Sequence, residues 1–125
     1  MVKESEQQQD DKHSKSVAEV ALKTLFRISR AWELSENEER LLLGKPDLSM
    51  YRSWRNQDYR EVSGEVLEAI SLVFGIYKNL RIIFPTERRA NEWIKKPNAA
   101  FGGSTALSIV LEDPRRVRHY LDSWI

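Results

Sequence analysis

Apolar residues recur at spacings of three and four along the chain from position 17 onwards. The first such stripe comprises Val17, Val20, Ala21, Thr24, Leu25, Ile28 and Trp32. This period is typical of an amphipathic helix that buries one face. Residues 1–16 differ, because they contain no apolar side chain after Val2. Such a segment buries too little surface to offset its loss of chain entropy, so we predict a disordered tail there.

Two short helices are predicted next. Ser35 and Glu38 have the spacing of a capping box, and Gly44 stands where a left-handed residue ends many helices. A third helix is predicted over residues 47–56, with Asp47 or Ser49 as its cap. Its aromatic and its basic residues fall on different sides; they are Tyr51 and Trp54, and Arg52 and Arg55.

A long apolar segment, residues 66–84, follows Ser63, which can cap it. Its main stripe is broadened by further apolar side chains almost around the helix. A helix that is apolar on most sides is either central to its domain or shared with another subunit. The pattern leaves both interpretations open.

Three shorter helices complete the chain. The fifth contains Ala90, Trp93 and Ile94 and ends before Pro97. Residues 98–104 form a loop, and a sixth helix is predicted around Leu107. The seventh begins at Asp113-Pro114, a cap followed by a first helical residue, and its apolar stripe is Val117, Tyr120, Leu121 and Trp124. Because no stretch alternates as a strand does, the predicted fold class is all-α.

Composition excludes several classes of function. The 125 residues carry 20 Lys+Arg against 19 Asp+Glu, so the chain is not uniformly basic, although a local basic face is still compatible with nucleic-acid binding. The absence of cysteine excludes thiol catalysis, disulfides and thiolate metal sites, and two histidines leave little for a metal centre. We find neither a membrane span nor a signal peptide. These features favour a cytoplasmic protein without metal or cofactor that is not an enzyme.

Three short helices in series, with a glycine-bounded turn, are the layout of a helix-turn-helix. The third helix of such a unit would lie in the major groove of DNA. The residues predicted to face DNA are Ser49, Met50, Arg52, Ser53 and Arg55. The competing interpretation is a plain helical hairpin with solvated arginines.

Three features near the end of the chain also admit two interpretations each. Gly102-Gly103 either brings the backbone close to a ligand or simply permits a tight turn between helices. It is not a phosphate-binding loop, because it lacks the spaced third glycine and the Lys-Ser/Thr ending. The terminal stripe either closes a core or is presented to a partner, for which large aromatic side chains are preferred anchors. The basic face of the last helix is either solvated or contacts an acidic surface; it comprises Arg115, Arg116, Arg118 and His119.

Residues 87–124 resemble the toxin-binding domain of the Xre/MbcA/ParS antitoxins. The matching positions are Ala90, Trp93, Pro97, Asn98, Phe101, Gly102, Gly103, Leu107, Val117, Arg118, Tyr120, Leu121 and Asp122. Upstream, Leu42-Leu43-Gly44, Tyr51, Trp54 and the helix over 67–84 resemble the Xre-type helix-turn-helix of the same proteins. Together the two segments cover most of the chain.

The resemblance implies an antitoxin that covers the active-site cleft of a RES-domain toxin, an enzyme that consumes NAD or transfers ADP-ribose. It also implies a homodimer that binds operator DNA. The expected organisation is a tail (1–16), a helix-turn-helix with a long dimerising helix (17–84) and a toxin-binding domain (85–125). The residues expected to bind or shape the toxin surface are Trp93, Asn98, Phe101, Gly102, Gly103, Arg115, Arg118, Tyr120, Leu121, Trp124 and Ile125.

One alternative has a different partner. In it, the chain is a stand-alone helix-turn-helix repressor whose C-terminal part serves only dimerisation. That alternative predicts specific operator binding and no toxic neighbour in the genome.

Overall fold

The computed structural model describes the backbone of residues 2–125 and the side chains of residues 17–125. The backbone of residues 2–16 is assigned to the first helix, and the disordered tail expected over residues 1–16 stays a prediction. The predicted all-α class is confirmed: the described part contains helices and one short 3-10 turn but no strand. The elements are α1 (Val2–Ala31), α2 (Glu36–Leu42), α3 (Leu48–Arg55), α4 (Gly64–Ile83), α5 (Glu87–Trp93), the 3-10 turn (Ala99–Phe101), α6 (Ala106–Glu112) and α7 (Pro114–Asp122).

Local capping explains where several helices begin and end. The Ser35 hydroxyl accepts a hydrogen bond from the Glu38 N–H at 3.1 Å, and the Ser35 N–H donates to the Glu38 carboxylate at 2.9 Å. The predicted capping box of α2 is therefore confirmed. Gly44 follows this helix in the left-handed region, with φ of 86°. Ser63 caps α4 as predicted, since its hydroxyl accepts from the Val66 N–H at 3.3 Å.

Two aspartates do not cap as predicted. Asp47 and Asp113 precede α3 and α7, yet neither carboxylate accepts a hydrogen bond from its helix backbone. The Asp47 carboxylate accepts instead from the Ser49 hydroxyl, at 2.8 Å. Pro114 is the first residue of α7, where a missing N–H costs nothing.

Helix α4 lies at the centre of the fold. It packs against α1, α2, α5 and α7, which agrees with its apolar residues being spread around the helix. Its innermost side chains include Val73, Ile76 and Leu80, which are fully buried. Burial of each such side chain contributes on the order of 1.5–3 kcal/mol.

A single hydrophobic core runs through the described residues. Its largest fully buried side chains in the N-terminal half are Trp32, Tyr51 and Trp54, and those of the C-terminal half include Ile94 and Leu121. Helix α6 packs against both α2 and α7, so it ties the last helices to the first ones. The C-terminal helices are thus held in place by the rest of the chain.

Candidate functional site

The largest group of neighbouring aromatic side chains surrounds Tyr120 on α7. The Tyr120 ring stacks on Trp93, with centroids 6.3 Å apart and an angle of 9° between planes. It meets Phe101 edge to face at 5.1 Å and Trp124 edge to face at 6.1 Å. Phe84 adjoins Trp93 at 6.4 Å. We call these five residues the aromatic cluster; such pairs add stabilisation beyond the area they bury.

Burial falls steadily across the aromatic cluster. Phe101 is buried, Trp93 and Tyr120 are partly buried, and Trp124 is 64% exposed. Leu121, predicted with them, is also buried, whereas Ile125 is 64% exposed. The structure therefore assigns Phe101 and Leu121 to the core and leaves Trp93, Tyr120 and Trp124 to form a surface. A shallow apolar cleft opens there; it is lined by Ile83, Phe84, Trp93, Tyr120, Leu121 and Trp124.

The loop before α6 holds Phe101 in place. The Asn98 side-chain oxygen accepts from the Ala100 N–H at 2.9 Å, which caps the 3-10 turn. Gly102 and Gly103 follow with φ of 65° and 87°, a region that favours glycine. Both glycines are exposed and no Cβ there would meet a neighbouring atom, so the turn itself is what requires them. Asn98 thus acts within the loop.

The arginines of α7 are engaged within the molecule. Arg115 pairs with Glu68 of α4. The Arg116 guanidinium lies over the Phe101 ring, 5.7 Å from its centroid. Arg118 donates from Nε to the Asp122 carboxylate at 3.1 Å. The predicted basic face is therefore partly neutralised before any partner arrives.

Two residues of α4 that sequence reasoning did not select lie beside α7. The buried Asn79 donates from Nδ2 to the Asp122 carboxylate at 2.7 Å. This hydrogen bond, followed by that of Arg118, lowers the pKa of the Asp122 carboxyl below its ordinary value. Gly75, one turn earlier, is also buried. A polar residue and a glycine inside an apolar helix were the only signals in the sequence.

The outer face of α3 is mixed in charge. Ser49, Met50 and Ser53 line a groove there, and the groove also includes Asp47, Asp58, Arg60 and Glu61. Among the predicted DNA contacts, the Ser49 hydroxyl donates to Asp47, and the Ser53 hydroxyl donates to the Ser49 carbonyl at 3.0 Å. The carboxylates of Asp47, Asp58 and Glu61 lower the local attraction for a phosphate backbone.

The two predicted arginines of α3 differ. Arg55 lies 3.5 Å from the Glu39 carboxylate and over the Phe26 ring, 5.2 Å from its centroid. Arg52 is exposed and forms no ion pair within residues 17–125. Arg52 is thus the more available of the two.

Two kinds of site are not found in the described part of the chain. No group of three or more His, Asp or Glu residues there is placed to hold a metal ion. No helix of that part is long and apolar enough to cross a membrane.

Comparison with known proteins adds to this geometry. Residues 79–124 match the family model described as the antitoxin Xre/MbcA/ParS C-terminal toxin-binding domain. The match begins at Asn79 and so includes the whole aromatic cluster. The chain is also 38% identical over 106 residues to an uncharacterized protein, y4oB, of Sinorhizobium fredii (strain NBRC 101917 / NGR234), covering 82% of this chain and 81% of the relative. No solved structure matches.

Proposed function

This chain belongs to the Xre/MbcA/ParS antitoxin family, and we propose that it neutralises a RES-domain toxin by covering the active-site cleft with its aromatic cluster. Membership of this family gives the protein the role of an antitoxin, with a toxin as its partner. The RES class of the toxin, and its consumption of NAD or transfer of ADP-ribose, follow from the resemblance and belong to the proposal. A cytoplasmic location is part of the same proposal.

One observation carries the proposal. Trp124 is 64% exposed, yet its ring rests edge to face on Tyr120, which in turn stacks on Trp93. A large aromatic side chain exposed on a supported base is the typical anchor of a protein interface. The mechanism is occlusion, since the cluster presents apolar rings rather than a set of convergent polar groups.

The test is co-expression with the product of the adjacent open reading frame. That product is expected to be toxic alone and harmless with this chain. Trp124→Ala is expected to weaken the complex by at least about tenfold, the size of a hot-spot loss. Leu48→Ala is the matched control, because it trims another exposed apolar side chain, on α3. Equal neutralisation by Trp124→Ala and wild type would overturn this use of the cluster.

We also propose that α3 binds operator DNA and represses the antitoxin's own operon. The Arg52 guanidinium supports DNA binding, because it is exposed and has no ion-pair partner within residues 17–125. The carboxylates of Asp47, Asp58 and Glu61 in the neighbouring groove oppose it. A gel shift with the DNA upstream of the gene is expected to lose its band with Arg52→Ala. If no wild-type band forms even at low salt, α3 has no role in DNA binding. A wild-type band together with a harmless neighbouring product would favour the stand-alone repressor.

A homodimer is the third part of the proposal. An apolar groove between α1 and α4 is lined by Val17, Val20, Ala21, Thr24, Leu67, Ile70, Ser71 and Phe74. Val20 is 60% and Phe74 47% exposed there, which favours cover by a second copy. Light scattering is expected to give a dimer for wild type and a monomer for Phe74→Ser. Ile82→Ser, which changes an exposed residue of α4 outside the groove, is expected to stay dimeric. A monomeric wild type would contradict this assignment.

A further inference from the structure

Two pairs of residues face each other where α4 meets α7. Gly75 and Asn79 lie one turn apart on α4 and are both buried. Arg118 and Asp122 lie one turn apart on α7. We call these four residues the clamp. Ordinary helix packing is one interpretation of this contact. Three details of the contacts indicate a more specific role.

The first detail is the space at Gly75. A Cβ atom at this position would lie 1.6 Å from Nη1 and 2.4 Å from Cζ of Arg118. The guanidinium therefore occupies the place where any other residue would have its side chain. The backbone of α4 does not require glycine here, since no positive φ is found at position 75. Glycine in a helix interior is less favourable than alanine. The nearest atoms that a Cβ would meet belong to the flexible end of Arg118, so an added methyl group would displace this guanidinium rather than a helix backbone.

The second detail is the carboxylate that both helices share. The same oxygen of Asp122, Oδ1, accepts from Asn79 Nδ2 at 2.7 Å and from Arg118 Nε at 3.1 Å. The Arg118 guanidinium thus lies in the space that Gly75 leaves open, and its Nε donates to Asp122. One donor comes from α4 and one from α7, which joins the end of α7 to the central helix.

The third detail is what this end of α7 carries. Tyr120 and Trp124 are each two residues from Asp122, and they form the outer part of the aromatic cluster. The last turn of a helix frays readily when nothing holds it. A side chain that is already ordered before binding loses less conformational entropy in the complex.

We propose that the clamp is a positioning device for the toxin-binding surface: Gly75 seats Arg118, and Arg118 with Asn79 holds Asp122, so that Tyr120 and Trp124 are presented in one orientation. Arg118 then acts through Asp122 rather than by touching the toxin. This inference rests on the proposed function, because the aromatic cluster must be the surface that binds.

The experiment compares two glycines of α4. Gly75→Ala pushes the guanidinium out, whereas Gly64→Ala adds the same methyl group where no atom lies within 4 Å. We expect Gly75→Ala to weaken binding of the adjacent frame's product about tenfold, a typical size for coupled residues, and Gly64→Ala to leave it unchanged. Because alanine favours the helix, the melting temperature of Gly75→Ala is not expected to fall. A purely structural role would instead lower affinity and melting temperature together.

A double-mutant cycle tests the route through Arg118. If Gly75 acts only by seating this arginine, Gly75→Ala has no further effect in an Arg118→Ala background. Full additivity of the two losses would overturn the clamp. Arg118→Lys is expected to bind between wild type and Arg118→Ala, since lysine keeps the charge but not the planar fork.

A measurement on the protein alone, without the toxin, tests the clamp independently of the proposed function. By NMR, the pKa of the Asp122 carboxyl is expected to rise toward its ordinary value in Gly75→Ala and in Asn79→Ala. An unchanged pKa in both variants would overturn the clamp. If wild type fails to bind the neighbouring product, the proposed function falls; if wild type and Gly75→Ala bind it equally, the clamp alone falls.

Discussion

Two carboxylates in this protein each interact with one neutral donor and one arginine, but in different surroundings. Glu39 on α2 is only 7% exposed; it accepts from the Tyr51 hydroxyl at 2.6 Å and lies 3.5 Å from Arg55. Asp122 at the end of α7 is exposed, and it accepts from Asn79 and Arg118. The first joins α2 to α3 inside the N-terminal half, and the second joins α7 to α4 below the aromatic cluster.

The difference shows how burial decides what a polar network does. When one member of a buried polar network is removed, the groups left behind remain buried without partners. The free energy of unfolding then falls by the full desolvation cost of those groups. At the surface, water replaces a lost partner at little cost. We therefore expect the Glu39 network to determine stability and the Asp122 network to determine geometry. Four substitutions test this, from the largest effect on stability to the smallest.

Glu39→Ala is expected to have the largest effect. It leaves the buried Tyr51 hydroxyl without its acceptor and removes the charge opposite Arg55, so the free energy of unfolding should fall by about 2–3 kcal/mol. Urea denaturation measures this. A loss no larger than that of an exposed carboxylate such as Glu65 would contradict the importance of burial.

Tyr51→Phe is expected to lower the free energy of unfolding by about 1–2 kcal/mol, because the Glu39 carboxylate then has Arg55 as its remaining partner. Burial, and then the hydrogen bond to Glu39, raises the pKa of Tyr51 above its ordinary value. The folded protein thus keeps a proton that the unfolded chain loses near pH 10, about the ordinary tyrosine pKa. The contribution of Tyr51 is complete below that pH and declines as the pH rises toward the folded pKa.

Unfolding curves from neutral pH to strongly alkaline pH check this dependence. The wild-type protein should lose more stability than Tyr51→Phe above about pH 10, since the variant has no such proton. Parallel pH profiles for the two proteins would show that the Tyr51 hydroxyl does not interact with Glu39.

Arg55→Ala is expected to cost about 1 kcal/mol or less, the size of an exposed ion pair, since half of the Arg55 side chain is exposed. This value includes the loss of the contact between the Arg55 guanidinium and the Phe26 ring. Added salt should reduce the difference between Arg55→Ala and wild type, because salt screens exposed charges. A cost as large as that of Glu39→Ala would mean that Arg55 supports more than this pair.

Asp122→Ala is expected to lower the free energy of unfolding by no more than about 1 kcal/mol, because the Asp122 carboxylate is exposed and only the buried Asn79 amide loses its acceptor. It is nevertheless expected to weaken toxin binding as Gly75→Ala does. Denaturation and binding are measured on the same preparation. A loss of stability as large as that of Glu39→Ala would place Asp122 with Glu39 and remove the distinction between the two networks.

How far the sequence predicted the molecule differs between its local and its long-range features. The capping box at Ser35, the glycine terminator at Gly44 and the cap at Ser63 involve neighbours in the chain, so their spacing predicted them. The failure of Asp113 to cap α7 depends on where its side chain points, which the spacing does not determine.

The candidate surface was predicted as a set of residues, but not in its arrangement. Trp93, Phe101, Tyr120 and Trp124 were all selected from the sequence, and the structure brings them together. The sequence could not rank them by exposure, because that depends on α4 and on the loop that carries Phe101. Gly75 and Asn79 were missed since their partners lie 43 residues away for both Gly75–Arg118 and Asn79–Asp122.

Periodicity, caps and motifs are local patterns, so the helical class, most of the helix starts and the family follow from the amino-acid sequence alone. Which arginines are already paired, which aromatic side chains remain at the surface and what holds them there follow from the packing of the helices, because exposure and pairing depend on contacts between distant segments. Arg118 illustrates this: its residue type suggests a contact with a partner, and its surroundings place it against Gly75 and Asp122.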